Sequence, residues 1–200
     1  KMVALWNNFH ALAAKMDMPE PDEPLYFLKA NNSFLGPDEL IQRPKSYDGK
    51  VVYEGELGIV IGKQCKNVSE ADAEGFIFGY TCIIDVSARA EGRRTWRQGS
   101  WMGKSFDTFA PIGPCIVTSD EIEDPNSLWV KFWNNGDLRH DYNTSDMEHS
   151  IAYMIATLSH VMTLKPGDLI LAGTNHGNLG PLQDGDFAEI EIEKVGRSTQ

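Results

Sequence analysis

Two acidic residues, Glu54 and Glu56, stand two apart inside an otherwise apolar segment, residues 51–61, and this pattern constrains the fold more than any other feature of the chain. Apolar residues alternate through the segment and β-branched types are frequent, which predicts one β-strand over 51–61. Side chains alternate faces along a strand, so the two glutamates point the same way, about 6.5 Å apart. Tyr53, Leu57, Ile59 and Ile61 point the other way, while the acidic face also carries Val52 and Val60. Two like charges on a half-buried face are unfavourable unless something positive compensates them. A second apolar run, residues 76–84, ends directly in Asp85, which predicts a buried strand that carries an acid into a cleft. Three carboxylates meeting at one point need a cation. A donor set of hard oxygens, without His or Cys, suits Mg2+, Mn2+ or Ca2+ better than zinc. The plainer reading leaves the glutamates on a solvated face and makes Asp85 the N-cap of a helix over 86–94.

The rest of the composition narrows the class. At 200 residues, with 42% hydrophobic and 24% charged, the chain suits one folded domain with a sizeable core and not a disordered one. No apolar run reaches the length of a membrane span and no signal peptide is visible, so a cytoplasmic setting without a membrane partner is expected. A formal net charge of −11 argues against nucleic acid as a partner. Against that background Arg89, Arg93, Arg94 and Arg97 form a local basic cluster, either a solvated helix face or a clamp for a carboxylate or phosphate near Asp85. Cys65, Cys82 and Cys115 are odd in number and widely spaced, which favours reduced, mostly buried thiols. The chain opens at Lys1 in mid-pattern without an initiator Met; one domain over residues 1–200, with some residues missing upstream, is expected.

Along the chain, a helix with His10 near its start is broken by Pro19, Pro21 and Pro24. Strands are predicted at 25–29, 109–117, 169–171 and 187–195, and a short helix at 69–74. Asn135-Gly136 between two apolar runs predicts a β-hairpin. Ser145-Asp146-Met147-Glu148 reads as a capping box opening a helix over 146–163. Strands outnumber helices in a mixed order, which gives an α+β class, predominantly β. Lys104, between Gly103 and Ser105 in an aromatic setting, is either a surface lysine or a partly buried amine able to stabilise an enolate or oxyanion. In the glycine-rich loop 173–181, Gly173 lets a backbone N–H face an anion, and Thr174 can donate to a carboxylate. His10 is either a packed or surface residue or a base that activates water. His149 and His160 read as structural, and His140, in the hairpin, as solvent-facing.

Taken together these pieces resemble the fumarylacetoacetate hydrolase family, in its single-domain bacterial and mitochondrial-type members, over nearly the whole chain. The resemblance is carried by the segments 53–63, 79–89 and 104–114, by Asn143-Thr144-Ser145-Asp146-Met147, and by Gly173-Thr174, in that order. It implies a β-rich fold rolled around a central site, a homodimer, and Mg2+ or Mn2+, with Ca2+ able to replace them in a crystal. The implied substrate is a 2-oxo acid or β-dicarbonyl acid. Glu54, Glu56 and Asp85 would bind the metal, Lys104 would support an enolate, Thr174 and Arg89 would hold substrate carboxylates, and Lys29 would line the site. Three departures stand out. Ile84 stands where an Asn more often precedes the aspartate, and Asn175 follows Gly173-Thr174 where relatives usually carry proline. Hydrolytic members pair the helix histidine with a glutamate three residues on, where this chain has Ala13. Either His10 acts alone, or Glu20 or Glu23 supplies the acid, or the reaction is not hydrolysis. The expected activity is therefore carbon–carbon cleavage by hydrolysis or decarboxylation. The alternatives are isomerisation of a 2-hydroxy-dienoate diacid from aromatic-ring degradation, and a non-catalytic metal- or metabolite-binding relic.

Overall fold

The computed structural model describes residues 1–89, 100–177 and 179–200. Thirteen strands are described: β1 (Met2–Leu5), β2 (Tyr26–Lys29), β3 (Phe34–Leu35), β4 (Val51–Val52), β5 (Gly55–Ile61), β6 (Ile77–Ile84), β7 (Ser87–Ala88), β8 (Ala110–Thr118), β9 (Trp129–Asn134), β10 (Asp137–Asn143), β11 (Leu169–Leu171), β12 (Ala188–Ile192) and β13 (Gly196–Thr199). The described α-helices are His10–Lys15, Glu70–Ala73, Ser100–Lys104 and Ile151–Val161, so the chain is α+β and mainly β, as its sequence predicts. None of them is long and apolar enough to cross a membrane.

A seven-stranded sheet runs in the order β2-β1-β11-β5-β6-β8-β3, and a four-stranded sheet in the order β10-β9-β12-β13. Alternation decides what each face of the large sheet meets. Val3, Leu57, Ile59, Ile61 and Ile170 enter one buried cluster with Phe132 and Ile190 of the small sheet and with Met154, Ile155 and Leu158 of the long helix. The two sheets come close at Gly55, where a Cβ would lie 3.1 Å from the Phe132 ring. Met2, Ala4, Val60, Ile83, Leu169 and Leu171 form a second, smaller cluster on the opposite face. Each aliphatic side chain buried this way contributes about 1.5–3 kcal/mol.

The segment 51–61 is not one strand. It breaks at Tyr53–Glu54, and β4 leaves the large sheet to pair with β7 in a separate two-stranded ribbon, Val51 opposite Ala88 and Val52 opposite Ser87. Strand β6, the partner of β5, ends at the same level, Gly55 lying opposite Ile84. Both chains therefore bend out of the sheet together, and the Asp85 amide donates to the Glu54 carbonyl at 2.7 Å across the bend. The helix expected over 86–94 is absent over 86–89, where Ser87–Ala88 is strand β7; residues 90–94 lie outside the described ones.

Two further expectations are corrected. The long helix begins at Ile151, capped by the Ser150 side chain accepting from the Tyr153 amide, and not at the capping box five residues earlier. Residues Thr144–Asp146 instead form a single 3-10 turn with Asn143 accepting from the Ser145 amide. His140 is buried at 1% exposure, not solvent-facing. A register shift between Leu138 and His140 turns its ring inward against Phe132, with centroids 5.1 Å apart. The hairpin turn itself is as predicted: Asn135 and Gly136 both take positive φ, 54° and 81°.

Candidate active site

The bend between β4 and β5 and the end of β6 gather the three predicted acids. Glu54 sits in the break, Glu56 lies one residue inside β5, and Asp85 directly follows β6. All three are buried, and each offers an oxygen within 4.8 Å of the others. Such a group is unstable without positive charge, and three basic side chains supply it. Lys104, at the end of the helix Ser100–Lys104, donates to Glu54 Oε2 at 2.5 Å, to Asp85 Oδ2, and to Ser87 Oγ at 2.7 Å. Lys29, fully buried at the end of β2, donates to Asp85 Oδ1 at 2.6 Å. Arg89 reaches Glu54 Oε1 at 3.2 Å. Arg93, Arg94 and Arg97, the rest of the predicted basic cluster, lie outside the described residues.

The electrostatics follow from these contacts. Burial works against ionised Glu54, but Lys104 and then Arg89 outweigh it and hold its pKa at about 2. Burial also works against the Lys104 ammonium, but Asp85, Glu54 and Glu56 raise its pKa. Lys29 is lowered, burial outweighing Asp85. Among the described residues Glu56 has no cation of its own. Burial, then Asp85, push its carboxyl well above the usual range, and Lys104 only partly offsets them. A divalent ion fits this arrangement: the donors are carboxylate oxygens throughout, and Glu56 is the one whose ionised form is left uncompensated.

The loop after β11 closes over the same acids. The Gly173 amide donates to Glu56 Oε2 at 2.8 Å. That amide therefore orients a carboxylate of the cluster and is not a spare donor. Gly173 takes φ +86°, a left-handed conformation that favours glycine. Thr174 is buried beside Tyr142, and its Oγ1 has no hydrogen bond of good geometry among the described residues.

His10 opens the first helix, and its Nδ1 lies 2.6 Å from Glu20 Oε1 and 2.9 Å from Glu148 Oε2. Ala13 is buried at 2% exposure on the inner side of that helix, so the expected position for a partner acid faces the core. Glu20, not Glu23, is the nearby replacement that the sequence allowed. Glu148 was read as part of a capping box; the isolated bridge between Phe9 and Met147 brings it across instead. Ser87, which completes the shell around Lys104, was also missed, although the two-residue period from Asp85 could have pointed to it. A cavity of about 640 Å3, lined by Leu40, Ile41, Phe109 and Leu182 among others, contains none of the three acids and is separate from this site.

Comparisons with known proteins agree with the geometry. The family model described as fumarylacetoacetate (FAA) hydrolase C-terminal matches residues 1–200. A 5-carboxymethyl-2-hydroxymuconate delta-isomerase from Mycobacterium smegmatis is 42% identical, with a TM-score of 0.86 over 100% of this chain and 76% of that one. A maleylpyruvate hydrolase from Sphingobium sp. SYK-6, solved in complex with manganese (II) ion and pyruvate, is 39% identical, with a TM-score of 0.85 over 100% of this chain and 68% of that one. The 4-hydroxyphenylacetate degradation bifunctional isomerase/decarboxylase of Escherichia coli is 39% identical over 98% of this chain and 45% of that protein. A family match over every residue, joined to relatives that are isomerases, decarboxylases and hydrolases, identifies the chain as an enzyme belonging to the fumarylacetoacetate hydrolase family.

Proposed function

We propose that this enzyme is divalent-metal-dependent and cleaves a carbon–carbon bond of a 2-oxo acid or acylpyruvate-like β-dicarbonyl acid through an enolate. The observation that carries the reading is the buried group of Glu54, Glu56 and Asp85, with oxygens within 4.8 Å and Lys104 among them. These three residues would hold Mg2+ or Mn2+, and such an ion supplies Lewis acidity that polarises the keto group of the substrate. Lys104 brings a fixed ammonium to where negative charge develops, and its two carboxylate contacts keep it charged. Lys29 holds Asp85 in place through its buried contact to Oδ1. Thr174 offers a buried hydroxyl to a substrate carboxylate. His10, steadied by Glu20 and Glu148, takes a proton from water. That water then adds to the acyl carbon, the bond breaks, and the proton ends on the enolate carbon.

A second reading is supported by the delta-isomerase relative at 42% identity: a proton shift on a 2-hydroxy-dienoate diacid of aromatic breakdown. It uses the same cluster and Lys104 but no attacking water. One experiment tests both. Purified protein is assayed on oxaloacetate, acylpyruvates and a dienol diacid with Mg2+, Mn2+ or EDTA, and products are identified. Turnover that EDTA and Glu54→Ala abolish is expected, and cleavage or isomer products choose between the readings. Absence of turnover across the panel, with the metal bound, would overturn both.

A further inference from the structure

Strand β5 runs on past the end of β11. Their pairing closes with Leu171 opposite Gly58, and the Ala172 amide adds one bond to the Leu57 carbonyl. Gly55, between the two glutamates of the cluster, lies beyond that point. On the other side of β5 the Asp85 amide bonds the Glu54 carbonyl, so Gly55 and Ile84 form the next, non-hydrogen-bonded pair of the antiparallel ladder. The Gly55 N–H and C=O therefore turn away from β6, toward the side where β11 no longer runs. Buried backbone groups need partners, and side chains of β10 supply both. His140 Nδ1 accepts from the Gly55 amide at 3.3 Å, and the Tyr142 hydroxyl donates to the Gly55 carbonyl at 2.7 Å. The two residues stand two apart on β10 and are both buried. Burial, then His176, pushes the His140 pKa down to about 3, so the ring is neutral and Nδ1 can accept. Its Nε2 has no hydrogen bond among the described residues. A side chain that only filled this space would need no polar atom; the bond to Gly55 is what a histidine adds.

Glycine restricts its own dihedrals less than any other residue, and this one separates two carboxylates that must meet. The Gly55 N–H lies in the Glu54–Gly55 peptide plane, and its C=O lies in the Gly55–Glu56 plane. Fixing both groups fixes φ and ψ at Gly55, and with them the directions in which Glu54 and Glu56 leave the backbone. His140 and Tyr142 thus act on the glutamates through the main chain. The spacing so fixed matters differently to different ions. Mg2+ demands near-ideal octahedral geometry at about 2.0–2.1 Å, whereas Ca2+ accepts about 2.3–2.6 Å in a flexible shell. Mn2+ also favours the octahedral arrangement of oxygens. We propose that His140 and Tyr142 are positioning residues: by holding Gly55 they set the spacing of Glu54 and Glu56, and so tune the cluster to Mg2+ and Mn2+ over Ca2+. The proposal rests on the divalent-metal reading of the cluster.

Metal binding, read without substrate, tests it. Protein treated with EDTA and then freed of chelator is titrated calorimetrically with Mn2+ and with Ca2+. The wild type should bind Mn2+ more tightly. Tyr142→Phe keeps the ring against Phe9, with centroids 5.0 Å apart, and removes only the hydroxyl. It should weaken Mn2+ about tenfold or more and Ca2+ by less than about threefold. His140→Leu should do the same, while His140→Asn, whose amide oxygen can accept in place of Nδ1, should recover most of the Mn2+ affinity. A role confined to packing would weaken both ions alike, and asparagine would not restore it. The proposal is overturned by a wild type without a preference for Mn2+, by Mn2+ affinity unchanged in Tyr142→Phe, by equal losses for the two ions, or by His140→Asn binding Mn2+ no better than His140→Leu. Should His140→Leu fail to fold, the two affinities of Tyr142→Phe decide alone. Binding of neither ion by the wild type would instead overturn the metal reading, and the proposal with it.

Discussion

Two carboxylates converge on one nitrogen of His10, and this sets the pH at which its ring can take a proton. The hydrogen bond to Glu20 raises the pKa above 6.5, burial opposes it slightly, and Glu148 adds to the rise. The neutral, basic form therefore accumulates only above that raised value. If His10 activates water, kcat/KM at saturating Mn2+ should climb with pH through an inflection above 6.5. Glu20→Gln should move the inflection down toward 6.5, and His10→Ala should cost about 10²–10⁴-fold. An inflection that stays put in Glu20→Gln would show that another group limits the rate. The same shift has a stability consequence of fixed sign: the favourable interaction is complete below the unfolded pKa and is lost as pH rises through the folded one. The His10 side chain is 47% exposed, so solvent screening keeps that contribution small.

At the scale of elements, local chemistry predicted what local chemistry controls. The Asn135-Gly136 turn needs two positive φ angles, and the residues that tolerate them stand where the hairpin turns. The triad of acids was legible because Glu54, Glu56 and Asp85 lie beside strand segments whose apolar pattern is plain. The break at Tyr53–Glu54 was not, since the alternation continues through it and only the pairing of β4 with β7 reveals it. His140 escaped for a similar reason: a bulge inverts the face that simple alternation assigns. The helix start was misjudged because two serines compete for the cap. Ser145 heads the better motif, but Asp146 is occupied with the Ala11 amide and Asn175, and Glu148 with His10. Ser150 is left to cap the helix and also donates to Glu70 Oε1 at 3.1 Å. Denaturant melts should therefore separate the two: Ser150→Ala should cost about 1 kcal/mol, and Ser145→Ala close to nothing. Equal costs would mean that the motif residues contribute to helix initiation after all.

For the whole molecule, the cluster links two strands of the large sheet to β2 through Lys29, to the helix Ser100–Lys104, and to the loop after β11 through Gly173, so its charge state bears on global stability. Among the described residues Lys29, Lys104 and Arg89 balance three carboxylates in number, but Glu56 gains only an amide contact. Its raised pKa fixes the sign. Stability is lost as pH rises from the unfolded value of 4.5 through the folded one, because ionisation is harder inside than outside. At neutral pH a cation reverses this penalty, and Glu56→Gln removes it while leaving an oxygen for the Gly173 amide. Mn2+ at about one hundred times its Kd should add about 2.7 kcal/mol, equivalent to about 5–10 °C in Tm for a domain of this size. In EDTA at pH 7, Glu56→Gln should melt above the wild type by a few degrees, at about 2–4 °C per kcal/mol. The Mn2+-induced rise should shrink in that variant, since a ligand is lost. A variant less stable than wild type in EDTA, or one that keeps the full Mn2+ rise, would mean that Glu56 serves the fold through its charge and not the ion.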